Sequence, residues 1–156
     1  MPIDTRTILD ASLALSLLAK SYESAGEVDR ADKLFKEAAD LELASPELQN
    51  CWGGPFNGQV GRQAIMLDLL KLLKPVAVVE TGTFRGISVE WFAQHYFGPI
   101  LSCENEKLYF LQAKTRLASY SNVDLRLEDS RQFLREILGG SSRAVPGGDA
   151  YVQPGA

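Results

Sequence analysis

The sequence predicts an α/β fold: the first half of a doubly wound parallel sheet, three strands with their helices, preceded by an α-helical hairpin. Three observations carry that prediction. Apolar residues recur every three or four positions through the first 44 residues. After Pro75 the pattern changes to strand-like runs alternating with helical segments. The connections between them are short, which implies right-handed crossovers and parallel strand pairing. The organisation read from these changes is a helical hairpin over residues 1–50, a loop and connecting helix over 51–74, an α/β unit over 75–138, and a disordered tail over 139–156.

The hairpin comes first. Ile8, Leu13, Leu15, Leu18 and Tyr22 form the apolar stripe of one helix, and Val28, Ala31, Leu34, Phe35, Ala38 and Leu41 that of a second. Gly26 supplies the positive-φ residue that a tight turn between them needs. Residues 47–61 carry Gly/Pro punctuation without periodicity and read as a loop. A third helix is predicted from about Arg62 to Leu73, with Ile65, Met66, Leu69, Leu70 and Leu73 inward, stopped by Pro75.

The strands follow. Val76–Glu80 is a continuous apolar run closing in an acid, as expected of a strand buried on both faces. Ile87–Tyr96 reads as a helix, Ile100–Glu104 as the second strand, and Glu106–Tyr120 as a helix with Leu108, Leu111 and Leu117 inward. Val123–Leu127 is the third strand and Arg131–Leu138 the last helix. From Gly139 on, seven of eighteen residues are Gly or Pro and no hydrophobic period remains, the basis for reading disorder there.

The stretch richest in chemistry is Glu80-Thr81-Gly82-Thr83-Phe84-Arg85-Gly86. A strand ends in an acid, a glycine loop follows, and a helix begins with free N–H groups and the positive end of its dipole. A dinucleotide loop wants Gly-x-Gly-x-x-Gly, but Phe84 occupies the middle glycine position and Glu80 would repel a pyrophosphate. A zwitterion fits better, with Glu80 facing the ammonium and backbone amides taking the carboxylate. Glu104 ends the second strand, where this kind of fold sets an acid against ribose hydroxyls, and a carboxylate can accept from both hydroxyls of a diol. Asp129 and Ser130 follow the third strand, where either would also serve as a helix N-cap.

These residues resemble motif I and its companions in the class I S-adenosylmethionine (SAM)-dependent methyltransferases, over roughly Trp52 to Leu138. The resemblance implies a partial Rossmann-like fold with SAM as cofactor. Its methionine end would lie on Glu80, Gly82, Thr83 and Gly86, its ribose on Glu104, and its adenine by Asp129 and Ser130. Glu128 stands where the family usually has Gly. The resemblance implies methyl transfer to a small-molecule, sugar or other oxygen acceptor, and points to no catalytic residue here. A complete member has seven strands, so three strands read as a truncated chain, expected to bind SAM weakly and turn over little. Its first strand would be an exposed edge available for self-association. The N-terminal hairpin resembles one tetratricopeptide repeat at Leu15, Leu18, Ala19, Tyr22, Gly26, Ala31, Phe35 and Ala38.

Composition limits the rest. The chain has 156 residues, 46% of them apolar, and a net charge of −4 without a Lys/Arg cluster, which excludes a nucleic-acid partner or a polybasic membrane surface as the primary role. No stretch is long and apolar enough to span a membrane and no secretory signal opens the chain, so a cytoplasmic location is expected. Cys51 and Cys103 have no histidine at ligand spacing, so no metal is expected. His95, the single histidine, falls at the far end of its helix, away from the loop. Arg85 could meet a carboxylate but reads equally as an exposed arginine without a role, and Trp52 and Phe56 read as packing residues. Asn57 and Gln59 read equally as turn formers and as side chains closing over the site. The alternative function is a non-catalytic scaffold or interaction protein using the helical pair. A nicotinamide enzyme is disfavoured by Phe84 and Glu80.

Overall fold

The computed structural model describes residues 4–49 and 51–139, and the reading of a disordered tail lies outside them from residue 140 on. It is an α/β structure. Helices α1 (Thr5–Ser24), α2 (Val28–Leu43), α3 (Pro46–Gln49) and α4 (Val60–Leu73) precede β1 (Val78–Thr81), α5 (Ile87–His95), β2 (Ile100–Glu104), α6 (Lys107–Arg116), β3 (Val123–Leu127) and α7 (Ser130–Leu138). The strands form one parallel sheet in the order β1-β2-β3, with Thr81 opposite Cys103 and Glu104 opposite Leu127.

Parallel pairing puts all three strand carboxyl ends on one edge of the sheet. β2, in the middle, is buried at every residue. β1 differs from expectation: it starts at Val78, leaves Val76 92% exposed, and alternates half-buried with exposed residues. The fully buried strand is β2, which is flanked by β1 and β3, whereas among the described residues β1 has one neighbour. On one face of the sheet Val89, Trp91, Phe92, Ala113 and Leu117 pack around Ile100, and on the other Phe133 of α7 packs against Leu101 and Cys103.

The hairpin forms where predicted, turning at Gly26 with φ +82°. Its buried seam, however, is made of small residues on α1 and of small residues with Phe35 on α2. Ser12, Ser16 and Ala19 of α1 face Ala31, Phe35 and Ala38 of α2, while Leu13 and Leu18, expected inward, are exposed. Small side chains let the two helices approach closely, which a leucine stripe would prevent. α4 begins two residues before the predicted Arg62 and buries less than expected. Met66, Leu67 and Leu70 touch the core, whereas Ile65, Leu69 and Leu73 are exposed. Within the segment read as loop, α3 and two short 3-10 turns form, Cys51–Gly53 and Pro55–Gly58. Phe56 packs edge-on against Trp91 and Phe92, as expected, but Trp52 is 74% exposed. Among the described residues no helix is long and apolar enough to cross a membrane.

Candidate functional site

The loop between β1 and α5 leaves the sheet through two backbone bonds, Gly82 and Thr83 N–H both donating to the carbonyl of Cys103, at 3.0 and 3.1 Å. Gly82 and Gly86 hold φ of +77° and +79°. Their surroundings differ. A Cβ on Gly82 would meet nothing within 4 Å, whereas one on Gly86 would lie 3.2 Å from Cα and Cβ of Ala113. Gly86 therefore serves close packing of the loop on α6, and Gly82 serves the turn and an open rim. Phe84, in the middle glycine position, also has positive φ (+52°). Its ring is packed against Tyr109, with centroids 4.4 Å apart.

Glu80 lies beside Ser102 in the register of β1 and β2, with the Ser102 hydroxyl 3.5 Å from its carboxylate. That hydroxyl is only 2.5 Å from Thr83 Oγ1, which itself donates to the Cys103 carbonyl at 3.0 Å. Either hydroxyl of that short contact can be the donor, and the Ser102 bond to Glu80 is long, so the half-buried carboxylate is weakly solvated. Burial pushes its pKa from 4.5 up to about 7, and Ser102 opposes the shift only partly. A cation arriving at Glu80 would restore the charge that burial disfavours.

Glu104 is buried, and its carboxylate is already engaged. Oε2 accepts from Phe84 N–H at 2.7 Å, and Oε1 accepts from Asn105 and Glu106 N–H at 2.9 Å each. It ties the glycine loop to the start of α6. Of about four lone-pair positions on a carboxylate, three are used, so one hydroxyl can be received directly. The open position is on Oε2, so gripping a diol with both oxygens requires the Asn105 or Glu106 N–H to let go of Oε1. Asp129 caps α7 by accepting from Arg131 N–H at 3.0 Å and pairs with the Arg131 side chain in the open. Ser130 Oγ lies 4.0 Å from Cys103 Sγ. Glu80, Gly82, Thr83, Glu104, Asp129 and Ser130 thus stand at the carboxyl edge of the sheet, and Gly86 stands behind it.

Arg85 departs most from the sequence reading. Expected in the open, it is 7% exposed and forms an ion pair with buried Glu42 of α2. Its Nε donates to Gln112 Oε1 at 3.0 Å and Nη1 to the Leu48 carbonyl at 3.4 Å. Glu42 also accepts from Ser12 Oγ at 2.5 Å and Gln112 Nε2 at 2.9 Å. One signal could have revealed this: Glu42 continues the buried stripe Phe35, Ala38, Ala39, and a charge on such a stripe needs a partner. Arg116 adds a second tie, donating to the Arg85 carbonyl at 2.9 Å while pairing with Glu90 at 2.8 Å. A cleft of about 430 Å³ opens on the hairpin side of Arg85, walled by Leu13, Ser16, Lys20, Phe35 and Tyr109.

The weaker candidates have local roles. His95 ends α5, stacked on Trp91 with Nδ1 2.7 Å from the Trp91 carbonyl. Asn57 and Gln59 are exposed, Asn57 at φ +55° in the turn. Cys103 is buried, and burial raises its thiol pKa. No group of three or more His, Cys, Asp or Glu suited to a metal occurs among the described residues. No protein-family model, curated protein or solved structure matches this chain.

Proposed function

We propose that this chain binds S-adenosylmethionine at the carboxyl edge of its sheet and belongs with the Rossmann-like SAM-dependent methyltransferases, acting on a small-molecule acceptor. The observation that carries the reading is the pairing of an under-solvated Glu80 with the open rim at Gly82. An ammonium suits the first, and the second leaves room for the rest of the zwitterion, whose carboxylate must look beyond the Gly82, Thr83, Phe84 and Gly86 N–H groups because these are already engaged. The remaining lone pair of Glu104 receives one ribose hydroxyl, and Asp129 with Ser130 lies on the adenine side. When bound, SAM supplies an electrophilic methyl group. The chain's own residues bind and orient the zwitterion, and no general base is assigned among them. Turnover also needs walls that hold an acceptor in line with the sulfonium.

Thermal unfolding with and without SAM tests this, because a ligand that binds only the folded state must raise the melting temperature. No shift at ligand concentrations in the millimolar range would refute it.

A second reading, an interaction protein using the helical pair, is favoured by one observation: Leu9, Leu13 and Leu17 form an exposed stripe at four-residue spacing on α1. The surface it would use is this stripe, since Phe35 is 1% exposed and unavailable. Leu13→Lys abolishing association with a partner, in a chain that gives no melting shift with SAM, would favour it.

A further inference from the structure

We infer that Glu42 and Arg85 are positioning residues through which the N-terminal hairpin sets the shape of the glycine loop, an inference whose ligand-facing half rests on the cofactor reading above. Arg85 sits between Phe84 and Gly86, inside the loop itself. Its guanidinium is held by α2 through Glu42, by the chain at Leu48, and by α6 through Gln112, while its carbonyl is held by Arg116. Ser12 carries the same network into α1. On the opposite side of the loop, Glu104 holds the Phe84 N–H at 2.7 Å. Phe84 is thus fixed between two anchors in a backbone conformation that a side-chain-bearing residue rarely adopts, φ +52°.

A buried ion pair is a poor way to add stability, because desolvation offsets most of the attraction. What it supplies is geometry: a carboxylate and a guanidinium satisfied by donors and acceptors from four separate elements admit one arrangement. Removing one partner leaves a buried charge that must reach water. Arg85 lies within the loop, so drawing its guanidinium out toward the neighbouring cleft pulls on the backbone at Phe84, loosens the Phe84 N–H from Glu104 and disturbs the rim at Gly82. The coupling is reciprocal, so a ligand that orders the loop also tightens the hairpin.

Amide hydrogen exchange at Phe84 and Gly86, read by NMR, tests the loop-positioning half without any ligand. Glu42→Gln is compared with Ala31→Gly, a buried change in the hairpin seam away from the network. Exchange at both amides is expected to accelerate by roughly tenfold or more in E42Q beyond its acceleration in A31G. Equal acceleration in the two would reduce the network to ordinary hairpin stability and overturn the inference. Should E42Q not fold, the double change E42M/R85M, which replaces the pair by apolar side chains of similar length, takes its place. Retained wild-type protection at Phe84 and Gly86 in that variant would overturn the inference equally. Calorimetry with S-adenosylhomocysteine tests the other half: E42Q is expected to bind about tenfold more weakly than A31G. No heat from the wild-type chain would refute the cofactor reading and the ligand half together, while the amide rates still decide the loop.

Discussion

Glu80 offers the sharpest test of the site, because its environment fixes both a direction and a size. Burial lifts its pKa from 4.5 to about 7, so the folded chain holds a proton there that the unfolded chain releases. Between about pH 4.5 and pH 7 the native state binds more protons, and Glu80 therefore makes stability fall as pH rises through that window. The full shift corresponds to at most about 3 kcal/mol, present as a cost above pH 7 and absent below pH 4.5. Glu80→Gln removes the cost, so urea unfolding of the variant at pH 8 is expected to show a gain approaching that figure, shrinking to nothing at pH 4.5. Ligand binding runs the other way. An ammonium needs the ionised carboxylate, whose fraction rises from about a tenth at pH 6 to about nine tenths at pH 8. Calorimetry with S-adenosylhomocysteine is expected to show affinity rising about tenfold over that range in the wild type, and flat in Glu80→Gln. Parallel pH curves for the two proteins, in both unfolding and binding, would refute the argument.

Other expectations are quicker to check. Gly82→Ala meets no atom and carries only the strain of positive φ, about 1–2 kcal/mol. Gly86→Ala adds crowding against Ala113 and is expected to cost clearly more in urea midpoint. Equal losses would show that the two glycines do the same work. Phe133→Ala removes the fully buried aromatic side chain under the Leu101–Cys103 face and should cost about 3–5 kcal/mol by chemical denaturation; a loss under 1 kcal/mol would mean α7 is not docked there. Val79 of β1, the strand at the sheet's edge among the described residues, is 43% exposed and is expected to support self-association. Sedimentation should show a concentration-dependent mass that Val79→Lys abolishes, and a wild type that stays monomeric at high concentration would refute this.

The sheet was legible in the sequence because its signals are local. Ile100–Glu104 and Val123–Leu127 fall at the predicted bounds, and Gly82 and Gly86 occupy the positive-φ positions that glycine suits. The order of Glu80, Glu104 and Asp129 along one edge follows from parallel pairing once the strands are found. What escaped depends on distance along the chain or on size in place of polarity. The seam of α1 runs through Ser12, Ser16 and Ala19, and a rule that sends leucines inward cannot see that a closely approaching neighbour excludes them. Val76 and Val79 are apolar but sit at an edge, where hydrophobicity alone does not indicate cover. Arg85 meets Glu42 across 43 residues, a pairing for which neither periodicity nor spacing gives a local cue.

The two glycines of the loop differ in the room around them: a side chain at Gly82 would find open space, whereas one at Gly86 would press on Ala113. Both ends of the loop are nonetheless fastened, the first by Gly82 and Thr83 N–H on the Cys103 carbonyl and the second by its packing on α6. Bulk can therefore be added at the sheet end of the loop without moving its neighbours, while at the helix end the same change must displace α6.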